Sequence, residues 1–180
     1  PFDIEMARKL LAEAGYPGGQ GFPALNGLAP KGRINVLNDM TSQWRTNLGI
    51  EIVFELIGPW EINEWRKNHI TSPLVINGWT ADYPDPDDFL RRSSAIYLLH
   101  HLGWQDKNFD KLVEEAARTP DRSKRMAMYR QADRLLIADQ GLVLLIGYGC
   151  GHDLVKPWVR NYSVGPLGST DIRNILIDDH

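Results

Sequence analysis

The chain has 180 residues, 43% of them hydrophobic and 24% charged, with a formal net charge of -3. A chain of this size buries about 70% of its unfolded surface, and its composition excludes wholesale disorder and a collagen-like or coiled-coil rod. The mildly acidic balance also argues against a nucleic-acid partner, because phosphate backbones are held by clustered Lys and Arg.

Asp3 is the predicted N-cap of a first helix, with Ile4, Ala7, Leu10, Leu11 and Ala14 at helical spacing and Gly15 ending the run. Four glycines and two prolines between Gly15 and Pro23 predict a loop. Ala24 to Ala29 reads as a short strand. Ile34, Leu37, Thr41, Trp44 and Leu48 describe a second helix, closed by Gly49. Ile50 to Ile57 is the clearest strand: Ile50, Ile52, Phe54 and Leu56 share one face, and Glu51, Val53 and Glu55 the other. Pro59 breaks it, and Glu61 to Asn68 reads as a short helix carrying Ile62 and Trp65. Leu74 to Gly78 is predicted to be a short buried strand running into a loop from Trp79 to Asp88.

Phe109, Leu112, Val113 and Ala116 mark a third long helix. Asp121 caps a fourth, with Met126, Tyr129, Ala132, Leu135 and Leu136 inward. Leu142 to Ile146 is predicted to be a strand. Beyond Pro157 the texture changes to short extended pieces, ending in Ile175-Leu176-Ile177. Helices alternating with strands predict an α/β domain with a mixed sheet. The last stretch reads as a tail lying on another body. The longest apolar stretch, Leu142 to Ile146, falls far short of the roughly 20 residues of a membrane span. The single cysteine, Cys150, cannot form an internal disulfide. The start at Pro1-Phe2-Asp3, with neither Met nor a signal peptide, predicts a processed product or a piece of a longer chain.

Asp82, Asp85, Asp87 and Asp88 place four carboxylates in seven residues. Such oxygen-rich loops suit calcium, but this one lacks the glycine and spacing of an EF-hand, and Pro84 and Pro86 stiffen it. The competing expectation is a solvated turn whose later aspartates cap a helix from Phe89. Asp82 stands apart: it follows a strand end, beside Trp79, where ligand sites of α/β sheets form. No two of His69, His100, His101, His152 and His180 have the i, i+4 spacing of a helical zinc site, so no metal is predicted. Cys150 and His152 lie two apart without a nucleophile motif around them. Gly147, Gly149 and Gly151 fit neither the dinucleotide fingerprint nor the P-loop, and no cofactor is predicted. Trp44 and Trp65 fit helix faces. Trp60 and Trp79 each follow a strand end, as the walls of one cleft would. Two indoles and one carboxylate suit an ammonium group flanked by apolar chains.

Several blocks resemble a known family. Asp3 to Gly19, Asn47-Leu48-Gly49-Ile50-Glu51-Ile52, and above all Gly78-Trp79-Thr80-Ala81-Asp82-Tyr83-Pro84-Asp85-Pro86 are similar to the second half of periplasmic oligopeptide- and dipeptide-binding proteins of ABC importers (solute-binding protein family 5). Lys124-Arg125, Tyr129, Ala132 and Leu135-Leu136 match a late helix of that family, and Leu154 to Val159 its return segment. The resemblance implies a mixed-sheet lobe of a type II periplasmic-binding-protein fold, incomplete here. It implies a partial second lobe over 1–148 and a return segment over 149–180 that packs on a first lobe. It also implies an extracytoplasmic location, an oligopeptide ligand, an ABC permease as partner and no enzymatic activity. Asp82 would pair with the peptide's α-ammonium, Trp79 and Trp60 would line side-chain pockets, and Thr80 would offer backbone groups to the peptide as an added strand. The strand Leu74-Val75-Ile76-Asn77 carries no cation for a peptide carboxylate, and Lys67 is the nearest candidate. Rival readings are another solute in the same family (a dipeptide, sugar, nickel complex or haem) and a small metal-dependent hydrolase built on the aspartates and histidines. The chain alone, with an apolar tail from Val155 to Ile177, is expected to self-associate.

Overall fold

A computed structural model describes residues 2–58, 72–92, 94–165 and 167–179. They form two compact units, 1–77 and 78–180.

In the first unit, helix α1 (Ile4–Glu13) starts where Met6 N–H donates to Asp3 Oδ1 at 2.9 Å. Strand β1 (Leu25–Pro30) is the middle of a three-stranded parallel sheet of order β2-β1-β3, with β2 at Ile52–Ile57 and β3 at Leu74–Val75. Parallel neighbours need a crossover, and helix α2 (Ile34–Leu48) supplies it between β1 and β2. Leu28, Ala29, Leu37, Ile50 and Ile52 are buried here. Gly27 pairs with Phe54 across the sheet, and a Cβ at Gly27 would collide with the Phe54 ring. Gly49 ends α2 at φ 69°. It packs so tightly on Gly18 and Gly19 that a side chain on Gly49 or Gly19 would strike backbone. The inward face of β2 is the predicted one, though pairing starts at Ile52 rather than Ile50. The predicted buried strand from Leu74 shrinks to two half-buried residues. The predicted helix Glu61 to Asn68 lies outside the described residues.

The second unit is helical at its centre. Helix α3 (Ser94–His101) is followed by α4 (Lys107–Arg118) and α5 (Arg122–Arg134). Phe109, Val113 and Ala116 of α4 meet Tyr129 and Ala132 of α5, with Leu90, Ile96 and Leu136 closing the core. The caps are legible: Asp106 accepts from the Asn108 and Phe109 amides, and Asp121 from the Lys124 amide. The helix expected from Phe89 is displaced: a short helical turn spans Asp88–Arg92 and α3 itself begins at Ser94, where Ala95-Ile96-Tyr97-Leu98-Leu99 is apolar nearly all round and shows no stripe to mark its bounds.

Leu142 to Ile146 corrects the sequence reading. No strand forms there, and Leu144 and Leu145 are 73% and 69% exposed. An extended segment becomes a strand only when its N–H and C=O groups find a ladder, and among the described residues this one has none. Further on, β4 (Val159–Arg160) pairs antiparallel with β5 (Leu176–Ile177). Asp178 N–H adds a bond to the Trp158 carbonyl, and Arg160 pairs with Asp178 at 2.6 Å. Among the described residues no helix is long and apolar enough to cross a membrane.

Candidate ligand-binding loop

The segment 79–88 opens the second unit. Pro84 and Pro86 limit its backbone, and its own aspartates shape the rest. Asp85 accepts the Asp87 amide at 3.1 Å and pairs with Arg125 of α5 at 3.0 Å. The next two carboxylates turn inward: Asp87 is 5% exposed and Asp88 0%. A solvated turn was the sequence expectation for them, and it is wrong. A buried carboxylate is tolerated when donors meet it, and these two have them.

Asp87 Oδ2 accepts from the Tyr83 hydroxyl at 2.7 Å and from Arg91 Nη2 and Nε at 2.7 and 3.1 Å. Its Oδ1 accepts from the buried Tyr129 hydroxyl at 3.2 Å. These contacts keep both phenols protonated. The hydrogen bond to Asp87, then burial, raises the Tyr83 pKa above its ordinary value. Burial first, then the charges of Asp87 and Asp85, pushes Tyr129 up to about 12. Arg91 is likewise raised by its bond to Asp87.

Asp88 serves other partners. Its Oδ2 accepts from the Trp79 indole Nε1–H at 2.6 Å and from the Asp82 backbone N–H at 3.0 Å. The indole's polar edge is thereby turned inward, while Trp79 as a residue stays 36% exposed. Thr80 and Asp82 are exposed, and the Asp82 carboxylate has no hydrogen bond or ion pair to the described residues. Three of the predicted ligand residues, Trp79, Thr80 and Asp82, thus share one short exposed stretch, and Trp60 lies outside the described residues. Among the described residues no three His, Cys, Asp or Glu side chains converge as a metal site would need. What the sequence reading missed is the frame beneath the stretch. Arg91, four residues beyond Asp87, was a legible i, i+4 partner. Tyr129, 42 residues away, gave no local signal.

The fold is that of a periplasmic binding protein. It superposes on the structure of the Escherichia coli murein tripeptide binding protein MppA with a TM-score of 0.84, covering 98% of this chain and 35% of that one at 23% identity. Residues 1–96 match the family described as bacterial extracellular solute-binding proteins, family 5 Middle, and the chain belongs to that family. It is 29% identical to the periplasmic oligopeptide-binding protein OppA of Escherichia coli (strain K12), over 98% of this chain and 32% of that protein. It is 28% identical to heme-binding protein A of Haemophilus influenzae (strain ATCC 51907), over 99% of this chain and 33% of that one. The chain therefore spans about a third of the length of the curated relatives it matches.

Proposed function

We propose that this chain is part of the extracytoplasmic solute-binding component of an ABC importer, and that its solute is an oligopeptide. Residues 1–148 form part of the second lobe, and 149–180 return to pack on a first lobe. Asp82 pairs with the α-ammonium of the peptide, the face of Trp79 lies against a side chain, and Thr80 offers backbone groups to the peptide main chain. Trp60 supplies a second wall. Reading main-chain groups in this way tolerates many peptide sequences. The partner is a membrane permease, and the chain itself catalyses nothing.

The observation that carries this reading is Asp82. Its carboxylate is exposed and free of cations among the described residues, while its backbone is fixed from beneath by a buried group. A charge left open on a rigid stretch is suited to a charge that arrives with the ligand. Family membership does not choose the solute, since relatives of nearly equal identity are named for oligopeptide and for haem. The unpaired anion favours an ammonium-bearing one.

Truncating one partner of an enclosed charge pair costs about 2–5 kcal/mol. Asp82→Ala in the full-length protein is expected to weaken peptide binding about 30-fold or more, by that figure. N-acetylated peptides should bind the unsubstituted protein poorly for the same reason. A calorimetric loss of less than about threefold would sink the assignment.

A further inference from the structure

Asp88 holds two of the residues assigned to the ligand, Trp79 and Asp82, while being fully buried itself. Its Oδ2 holds the Trp79 indole at 2.6 Å and the Asp82 amide at 3.0 Å. We infer that Asp88 is a positioning residue for recognition of the peptide's α-ammonium: one oxygen sets the Trp79 ring and the Asp82 carboxylate as a unit. This rests on the reading of Asp82 as the ammonium anchor.

The argument is one of divided labour between neighbours. Asp87 spends its oxygens on Tyr83, Arg91 and Tyr129, which tie the loop to the helical core. The Asp88 carboxylate makes neither of those tyrosine contacts, and among the described residues both of its hydrogen bonds run back to residues 79 and 82. Because both fall on the same atom, the indole and the Asp82 backbone cannot move independently while it is in place. A recognition group held within a fraction of an ångström keeps its selectivity, whereas a loosened one loses it. The other oxygen, Oδ1, is buried and has no hydrogen-bond partner among the described residues. An asparagine can therefore leave its carbonyl where Oδ2 now sits and put its NH2 at the Oδ1 place. Positioning would survive, while a buried unsatisfied donor would lower stability.

The test compares an alanine tetrapeptide with its N-acetyl counterpart, by calorimetry, in the full-length binding protein that contains this chain. Asp88→Ala is expected to shrink the preference for the free N-terminus about tenfold or more, and Asp88→Asn to keep it within about threefold despite a lower melting temperature. In an Asp82→Ala background, Asp88→Ala should change the preference less than about twofold, because it acts through Asp82. An unaltered preference in Asp88→Ala, or an equal loss in Asp88→Asn, overturns the inference; the latter would make charge rather than position the operative property. A failure of the anchor reading looks different: the unsubstituted protein would show no preference for the free N-terminus, or Asp82→Ala would keep that preference. In that event the unliganded protein still decides on positioning. Asp88→Ala should shift the Trp79 indole N–H resonance and speed its solvent exchange about tenfold or more, as loss of a buried bond requires. An unmoved resonance with unchanged exchange refutes the positioning role.

Discussion

Two short stretches of the second unit invert what their sequences suggest. Residues 82–88 carry four carboxylates, and Leu142 to Ile146 is wholly apolar. In the fold the later aspartates are buried, Asp88 completely, while Leu144 and Leu145 are mostly in water. The difference teaches that burial follows available partners rather than polarity alone. Asp87 and Asp88 are each met by donors from Tyr83, Arg91, Tyr129, Trp79 or the Asp82 amide. Leu142 still packs on the helical core, but from Leu144 to Ile146 the stretch meets no ladder among the described residues and its side chains stay exposed.

The sharpest way to break the comparison is to remove a donor-matched carboxylate. Asp87→Ala leaves the Tyr129 hydroxyl buried without its acceptor and strips the Arg91 guanidinium of the one oxygen, Oδ2, that accepts from both its Nε and its Nη2. Burying an unsatisfied hydroxyl and losing charge-assisted bonds should together cost roughly 3 kcal/mol. Chemical denaturation of the chain would register it. A cost below about 0.5 kcal/mol, the range of ordinary surface substitutions, would mean that these aspartates are merely covered and not structural.

The same contrast explains what was legible in the sequence. Helices α1, α2, α4 and α5 were readable because a helix is locally encoded: Asp3, Asp121 and Gly49 mark ends, and apolar spacing marks faces. The strand at Leu25–Pro30 was only faintly legible although it is the middle of its sheet. Its Asn26, Gly27 and Pro30 are poor strand formers, and Gly27 is suited to its place by the Phe54 ring from another strand. The exposed part of the site, Trp79 to Asp82, was found through a motif. Its buried frame was not, because Asp87 and Asp88 carry the same letter as Asp82 and only their tertiary partners tell them apart.

A second effect, smaller and graded, is titration of the frame. Tyr129 ionises at about 12 in the folded chain against 10.0 for an ordinary tyrosine. The folded state therefore holds that proton more tightly than the unfolded one. The resulting stabilisation is fully present below pH 10 and is lost as pH rises through the folded value near 12. Ultraviolet titration of phenolate absorbance, compared between the chain and Tyr129→Phe, should reveal one group missing from the high-pH end. If the variant instead removes a group titrating at the ordinary value, Tyr129 is not enclosed by the aspartates.

The smallest effect is expected where the sequence promised a core. Leu144→Lys should change the stability of the monomeric chain by less than about 0.5 kcal/mol, because the side chain already faces water and nothing packed is lost. Its consequence should instead be seen between molecules. Leu144, Leu145 and Ile146, with Ile172, Leu176 and Ile177 of the tail, are all exposed. Apolar extended backbone without a sheet pairs readily with a neighbouring edge, and an added lysine on such an edge discourages that pairing. The unsubstituted chain should therefore self-associate at high micromolar concentration, and Leu144→Lys should shift light scattering toward monomer while the denaturation midpoint at low concentration stays put. The two measurements separate the alternatives. A large drop in monomer stability would show that Leu144 is a core residue, which would undo the inversion. A parent chain that is cleanly monomeric, with its tail protected from protease, would show that these side chains find internal cover in solution.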